Sequence, residues 1–252
     1  MTPDHRSRFF EAAAVLFDLD GVLTPTAELH MRAWETMFTQ VFADLGVAEP
    51  YAEDDYYRSL DGRTRYEGVQ ALLASRAVGL PYGAPDDPPD ALTVCGVGNR
   101  KNTVFNELLE KEGIAPYPGS LAVVDRLAWL GIPTAVVSSS KNARPVLAGA
   151  HLLDRFPVVV DGVVAADEHL PSKPRPDIFL AAARRLGVSP RHAVVVEDAI
   201  SGVAAGRAGH FAMVVGVDRG VGAAALEAAG ADIVIGDLAE LLPEPHPKDD
   251  AA

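Results

Sequence analysis

The chain has 252 residues, enough for one large domain or for a core that carries a smaller second one. Its 22 Lys and Arg against 35 Asp and Glu leave a formal net charge of −13, which excludes the broad basic face that nucleic acid or an anionic membrane would require. A single cysteine, Cys95, rules out an intrachain disulfide and a multi-cysteine zinc site.

The N-terminal stretch has no long apolar run, and no segment approaches the roughly 18 apolar residues that span a bilayer, so no membrane partner and a cytoplasmic location are expected. The first predicted strand, "AAVLF" (13–17), ends on Asp18 and Asp20 and breaks at Gly21. Carboxylates that close repel one another, so either one is protonated or both face a cation. Three amphipathic stretches follow with no strand between them: "AELHMRAWETMFTQVFADLG", "TRYEGVQALLASRAVG" and "NRKNTVFNELLEKEG". They predict a helical insertion over 28–112. Within it, "GLPYGAPDDPPDALTVCGVG" (79–98) reads as a Pro/Gly/Asp-rich loop with solvated acids, and Cys95 as a small half-buried apolar residue.

From residue 113 onward, short non-alternating apolar runs recur at 133–138, 156–161, 192–198, 211–217 and 231–237. Runs of that kind predict strands buried on both faces, as in parallel sheets. Helical segments lie between them, several closing on a glycine (Gly131, Gly187, Gly209, Gly230). This alternation predicts an α/β fold, a doubly wound parallel sheet with right-handed crossovers and ligands beyond the strands' carboxyl ends. The core is expected to comprise 1–27 and 113–252, and "PEPHPKDDAA" to be a disordered tail.

Three strand ends carry polar chemistry. Asp18, Asp20 and the pair Glu197–Asp198 supply hard oxygen donors with few histidines, a set suited to Mg2+. Ser138, Ser139 and Ser140 precede a helix, where hydroxyls and free N–H groups can hold a phosphate or simply cap the helix. Lys173, in "SKPRPDIF", can offset charge that develops in phosphoryl transfer. No G-x-x-x-x-G-K-[ST] loop is present, and the glycines of "SGVAAGRAG" do not form a dinucleotide fingerprint.

In this order and spacing, the four pieces resemble the haloacid dehalogenase-like phosphotransferases. The stretches "FDLDGVLTPTAELHMRAW", "SSSKN", "SKPRPDIFLAAA" and "VEDAISGVAAGRAG" are closer still to that family's β-phosphoglucomutase branch. The resemblance implies a Rossmann-like core with a helical cap inserted after the first strand. It makes Asp18 the nucleophile, Asp20 the general acid and base, and Ser138 and Lys173 the holders of the transferring phosphate. Mg2+ would be bound by Asp18, the Asp20 carbonyl and Asp198, with Glu197 in support. Gly62, Arg65 and Lys101 of the cap would meet the substrate. Ser139 joins Ser140, Lys141 and Asn142 on the core side, the last three binding a second, non-reacting phosphate. Thr26 and His30 match residues at the cap hinge. A sugar phosphate is the expected partner, with glucose 1,6-bisphosphate as activator if the enzyme is a mutase, and the chain is expected to act as a monomer.

Three features depart from the family pattern: Pro25 stands where an acid is usual, Asp61 precedes Gly62 where well-known members carry a lysine, and the 79–98 loop is long. All bear on substrate choice. The sequence therefore supports first a β-phosphoglucomutase, converting β-D-glucose 1-phosphate to glucose 6-phosphate. A phosphatase of a small phosphorylated metabolite, using the same nucleophile with water as acceptor, is the alternative. A non-catalytic phosphate-binding module would have lost the nucleophile or the metal acid, and neither is lost.

Overall fold

A computed structural model describes residues 3–243; the tail expected to be disordered falls, from residue 244, outside the described residues. Six strands form one parallel sheet: β1 (Ala14–Phe17), β2 (Thr134–Val137), β3 (Val158–Val160), β4 (Ala193–Glu197), β5 (Met213–Val217) and β6 (Ile233–Ile235). Their order is β3-β2-β1-β4-β5-β6, and every pairing is parallel. The chain runs outward from central β1 through β2 to β3, then returns to β1's other side and runs out through β6. That reversal opens a crevice at the carboxyl ends of β1, β2 and β4, where ligands bind in sheets of this type.

Valine-rich, non-alternating strands bury both faces. On β1, Val15 and Phe17 enter one apolar core while Ala14 and Leu16 enter the other. A terminal helix α1 (Pro3–Phe10), not foreseen in the sequence, seats Phe9 in the first core.

Between β1 and β2 lie α2 (Thr26–Leu45), a one-turn α3 (Glu53–Asp55) running into a wide π-helical turn at Tyr56–Leu60, α4 (Arg65–Ser75) and α5 (Val94–Glu112). These helices enclose an apolar cluster of their own, with Trp34, Phe38, Phe42, Leu72 and Val97 at its centre. The remaining helices are α6 (Pro118–Trp129), α7 (Ala143–Gly149), α8 (Gly162–Asp167), α9 (Asp177–Leu186), α10 (Ile200–Ala208) and α11 (Ala223–Ala229). Among the described residues, no helix is long and apolar enough to cross a membrane.

Three local expectations need correction. Helix α5 starts at Val94, so the predicted loop loses its last five residues: Thr93 caps the helix by accepting from the Gly96 amide, and Gly96 and Gly98 are helical. The loop's acids are not all solvated, because Asp87 accepts from the Ala84 amide at 3.1 Å and the Thr93 hydroxyl at 2.5 Å. Cys95 is wholly buried rather than half-buried. Of the helix-closing glycines, Gly187 and Gly230 take the left-handed cap conformation, whereas Gly209 closes its helix with φ −77.

Candidate active site

The register of the central strands assembles the acids. Phe17 pairs with Val136 on one side and Val196 on the other, and the Asp18 amide donates to the Val196 carbonyl at 2.9 Å. Asp18 thus lies level with Glu197. Just beyond, the Gly21 amide donates to the Thr24 carbonyl, and Gly21 takes φ +83, a region where a side chain is strained. A Cβ there would stand 1.8 Å from an Asp198 carboxylate oxygen. Only glycine lets the two acidic strand ends approach this closely.

Lys173 reaches the same point from the loop before α9, where its bond to Pro174 is cis. Its ammonium donates to Asp18 Oδ1 and Glu197 Oε1, each at 2.5 Å, and to the Val137 carbonyl at 3.4 Å. Glu197 is fully buried, and its other oxygen accepts from the Ala199 amide at 2.8 Å. Burial alone would lower the lysine's pKa, but the two flanking carboxylates outweigh it and hold it above the ordinary lysine value. Asp18 is pushed well above the ordinary carboxylate range by burial, with Glu197 and Asp20 adding to the rise and Lys173 only partly opposing it. Asp198 is raised by burial and then by Glu197, Asp61 and Asp18. One lysine does not balance this many buried acids.

Asp20 is in a different electrical state. Its Oδ1 accepts from the Thr26 hydroxyl and lies 3.4 Å from His30 Nε2, and its Oδ2 accepts from the Ser138 hydroxyl at 3.3 Å. The other His30 ring nitrogen is hydrogen-bonded to the Lys101 ammonium. Burial pushes Asp20 up, but His30, Thr26 and Lys101 together outweigh it and bring its pKa down to about 2. Lys101 itself is lowered well below the ordinary lysine value, first by burial and then by Arg65. Its ammonium sits over the rings of Trp34 and Phe105, at 5.0 and 4.7 Å from their centroids, which supply a compensating attraction.

A second polar cluster spans the gap between α4–α5 and the loop after β2. Asn102 Oδ1 accepts from Arg65 and from Asn142, both at 2.7 Å, and the Ser139 hydroxyl donates to the Gly62 carbonyl at 2.9 Å. The Ser201 hydroxyl donates to the neighbouring Asp61 carbonyl at 3.4 Å. Asp18, Asp20, His30, Gly62, Arg65, Lys101, Ser139, Ser140, Lys141, Asn142, Lys173, Glu197 and Asp198 all line one cavity.

Two sequence-selected residues do not line it. Thr26, fully buried, and Ser138, 1% exposed, stand behind Asp20 and hold its carboxylate. Sequence reasoning missed the apolar wall of Trp34, Tyr56, Leu60 and Ala199, and left the direction of Asp61 open. Asp61 faces the cavity, and burial followed by the nearby Glu197 raises its pKa to about 7.

The sequence model of the haloacid dehalogenase-like hydrolases matches residues 12–210. The chain belongs to that family. A β-phosphoglucomutase of Mycobacterium tuberculosis is 48% identical, over 95% of this chain and 97% of that one. A β-phosphoglucomutase of Bacillus subtilis is 33% identical over 90% of this chain and 91% of its own length. The crystal structure of a β-phosphoglucomutase from Clostridium difficile superposes with a TM-score of 0.75 at 26% identity, covering 92% of this chain and 93% of that one. Within the haloacid dehalogenase-like family, this chain falls in the β-phosphoglucomutase-like branch, and it is an enzyme of phosphoryl chemistry.

Members of this family generally work with Mg2+, and the donor chemistry here fits it. Among the described residues, no three His, Cys, Asp or Glu side chains converge to hold a metal by themselves. The expected set needs only two carboxylates, Asp18 and Asp198, plus the Asp20 carbonyl. Burial raises both carboxylates, and neighbouring acids add to the rise (Glu197 and Asp20 on Asp18; Glu197, Asp61 and Asp18 on Asp198), which is the condition that a hard dication relieves.

Proposed function

We propose that this enzyme is a Mg2+-dependent β-phosphoglucomutase that works through a phosphorylated Asp18. In this reading, 1–27 and 113–252 form the catalytic core and 28–112 a cap over it. One observation carries the proposal: a single cavity joins a lysine beside the nucleophile to a second anion-binding cluster, the cations Arg65 and Lys141 with the Asn142 amide. A mutase must hold a bisphosphorylated sugar, and so needs two anion seats; a phosphatase of a monophosphate needs one.

The residue roles follow from the contacts. Lys173, fixed between Asp18 and Glu197, offsets charge on the transferring phosphoryl group. Mg2+ held by Asp18, Asp198 and the Asp20 carbonyl would supply further stabilisation of that charge. Asp18 attacks phosphorus, forming an acyl phosphate as the bond to the leaving oxygen breaks. Asp20, held ionised by Thr26, His30 and Ser138, is in its base form and accepts the proton of the next sugar hydroxyl. It later returns that proton to the departing oxygen. Glucose 1,6-bisphosphate would phosphorylate Asp18 at the start. The cap excludes water, so that sugar rather than solvent receives the phosphoryl group.

The deciding experiment supplies β-glucose 1-phosphate, Mg2+ and a trace of glucose 1,6-bisphosphate, and follows glucose 6-phosphate and free phosphate together. Glucose 6-phosphate without matching phosphate is expected. Phosphate release alone would establish hydrolysis instead, the reading that Asp61 favours by placing a carboxyl where a lysine would attract an anionic group.

A further inference from the structure

The loop at 79–93 is an ordered brace, and its hydrogen bonds lead to one residue that the roles above do not use. The Asn99 side-chain amide donates to the carbonyls of Pro85 at 3.0 Å and Asp87 at 2.8 Å, fastening the loop to α5. The Tyr66 hydroxyl donates to Asn99 Oδ1 at 3.0 Å and approaches the Pro85 carbonyl at 3.3 Å. Tyr82, from the loop, meets the Tyr66 ring edge-on with centroids 6.4 Å apart. Gly98 lets the ring lie against α5, because a Cβ there would stand 2.8 Å from it. So held, the ring presents a face to the Lys141 ammonium, 5.2 Å from its centroid. Tyr66 stands on α4 and Lys141 on the loop after β2, so the contact bridges two parts of the chain far apart in sequence.

We propose that Tyr66, braced by the 79–93 loop, is a positioning residue that holds Lys141 in place for the non-reacting phosphate of a bisphosphorylated sugar. The inference rests on the reading of Lys141 as part of the second anion seat. A free lysine side chain has many rotamers and loses them on binding; one already seated on an aromatic face loses fewer. The ring therefore acts on affinity for a substrate with two phosphates. It has no bearing on a phosphoryl donor with one, which reaches only the Asp18 end.

The test measures KM for glucose 1,6-bisphosphate and, separately, the rate at which acetyl phosphate is turned over. Tyr66→Leu is expected to raise the bisphosphate KM roughly 3- to 30-fold, the span of a partly desolvated cation–π contact, with acetyl phosphate turnover within about twofold of the parent. Tyr66→Phe keeps the ring and is expected to stay within about twofold on both. In a Lys141→Ala background, Tyr66→Leu is expected to add nothing, since the two then share one effect.

An unchanged bisphosphate KM in Tyr66→Leu overturns the inference, and so does an equal loss on both substrates, which would mark a purely structural role. A raised KM in Lys141→Ala with none in Tyr66→Leu removes the inference alone. No change in Lys141→Ala removes the anion-seat reading beneath it as well. Should Tyr66→Leu fail to fold, Tyr66→Met removes the aromatic face while keeping a long apolar side chain and is expected to raise the same KM by roughly the same 3- to 30-fold; no rise would count against the inference.

Discussion

Asp18 is caught between a lysine that favours its ionised form and burial that disfavours it more strongly. An amide in its place is nearly isosteric and carries no charge to desolvate, so Asp18→Asn is expected to fold with an unfolding midpoint close to the parent's. Turnover should fall at least about a thousandfold, because the amide has no nucleophilic oxygen anion. Activity that survives the substitution would remove Asp18 from the nucleophile's role. The sign of the pH effect also follows. A carboxyl whose folded pKa lies above its unfolded value binds its proton more tightly in the folded state. Asp18 and Asp198 therefore favour folding below the ordinary carboxylate pKa near 4, and that contribution is lost as pH rises through their raised values. Asp20 works the other way: lowered to about 2, it contributes above its unfolded value and loses that contribution as the pH falls toward 2.

At the scale of elements, the segment around residue 62 decides how the helices between β1 and β2 meet the sheet. Gly62 has φ +68, and a Cβ would fall 1.9 Å from the Ser201 hydroxyl oxygen. Gly62→Ala is expected to cost about 1 kcal/mol from the left-handed backbone and to raise the substrate KM as the contact with α10 is pushed apart. Adding Ser201→Ala removes the colliding oxygen and should recover part of the KM but none of the backbone cost. Equal KM values in the single and double variants would show that the collision plays no part. The sheet was legible because a strand buried on both faces shows itself as a run of valines, and all six runs became strands. The acids were legible as strand-end residues, since a parallel sheet places all its carboxyl ends on one side. The start of α5 was not. Gly96 and Gly98 read as loop residues because their reason for being glycine is contact with Ala91 and Tyr66, which sequence spacing does not encode. The buried position of Thr26 and the inward turn of Asp61 were hidden for the same reason: both depend on which segments meet across the cavity.

Over the whole molecule, a net charge of −13 coexists with a cavity lined by Arg63, Arg65, Lys101, Lys141 and Lys173. An acidic exterior disfavours nonspecific polyanions, while the enclosed cations select a small phosphate that can enter. The same cavity holds more buried acids than Lys173 can balance. Mg2+ is therefore expected to raise the thermal midpoint relative to a chelator at about pH 8, and the gain should shrink toward about pH 5 as protons compete for the carboxylates. A midpoint indifferent to Mg2+ at both values would argue against metal binding by Asp18 and Asp198.

Two core hydroxyls, Ser139 and Ser201, grip this region through the carbonyls of Gly62 and Asp61 rather than through any side chain. Main-chain oxygens are the same whatever residue carries them. Side chains at 61 and 63 can thus be exchanged, by mutation over time or by design, while the seating of the helices over the sheet persists. A lineage could pass from one phosphorylated metabolite to another at those two positions without rebuilding these main-chain contacts, and libraries that aim to redirect the enzyme have a natural place to begin.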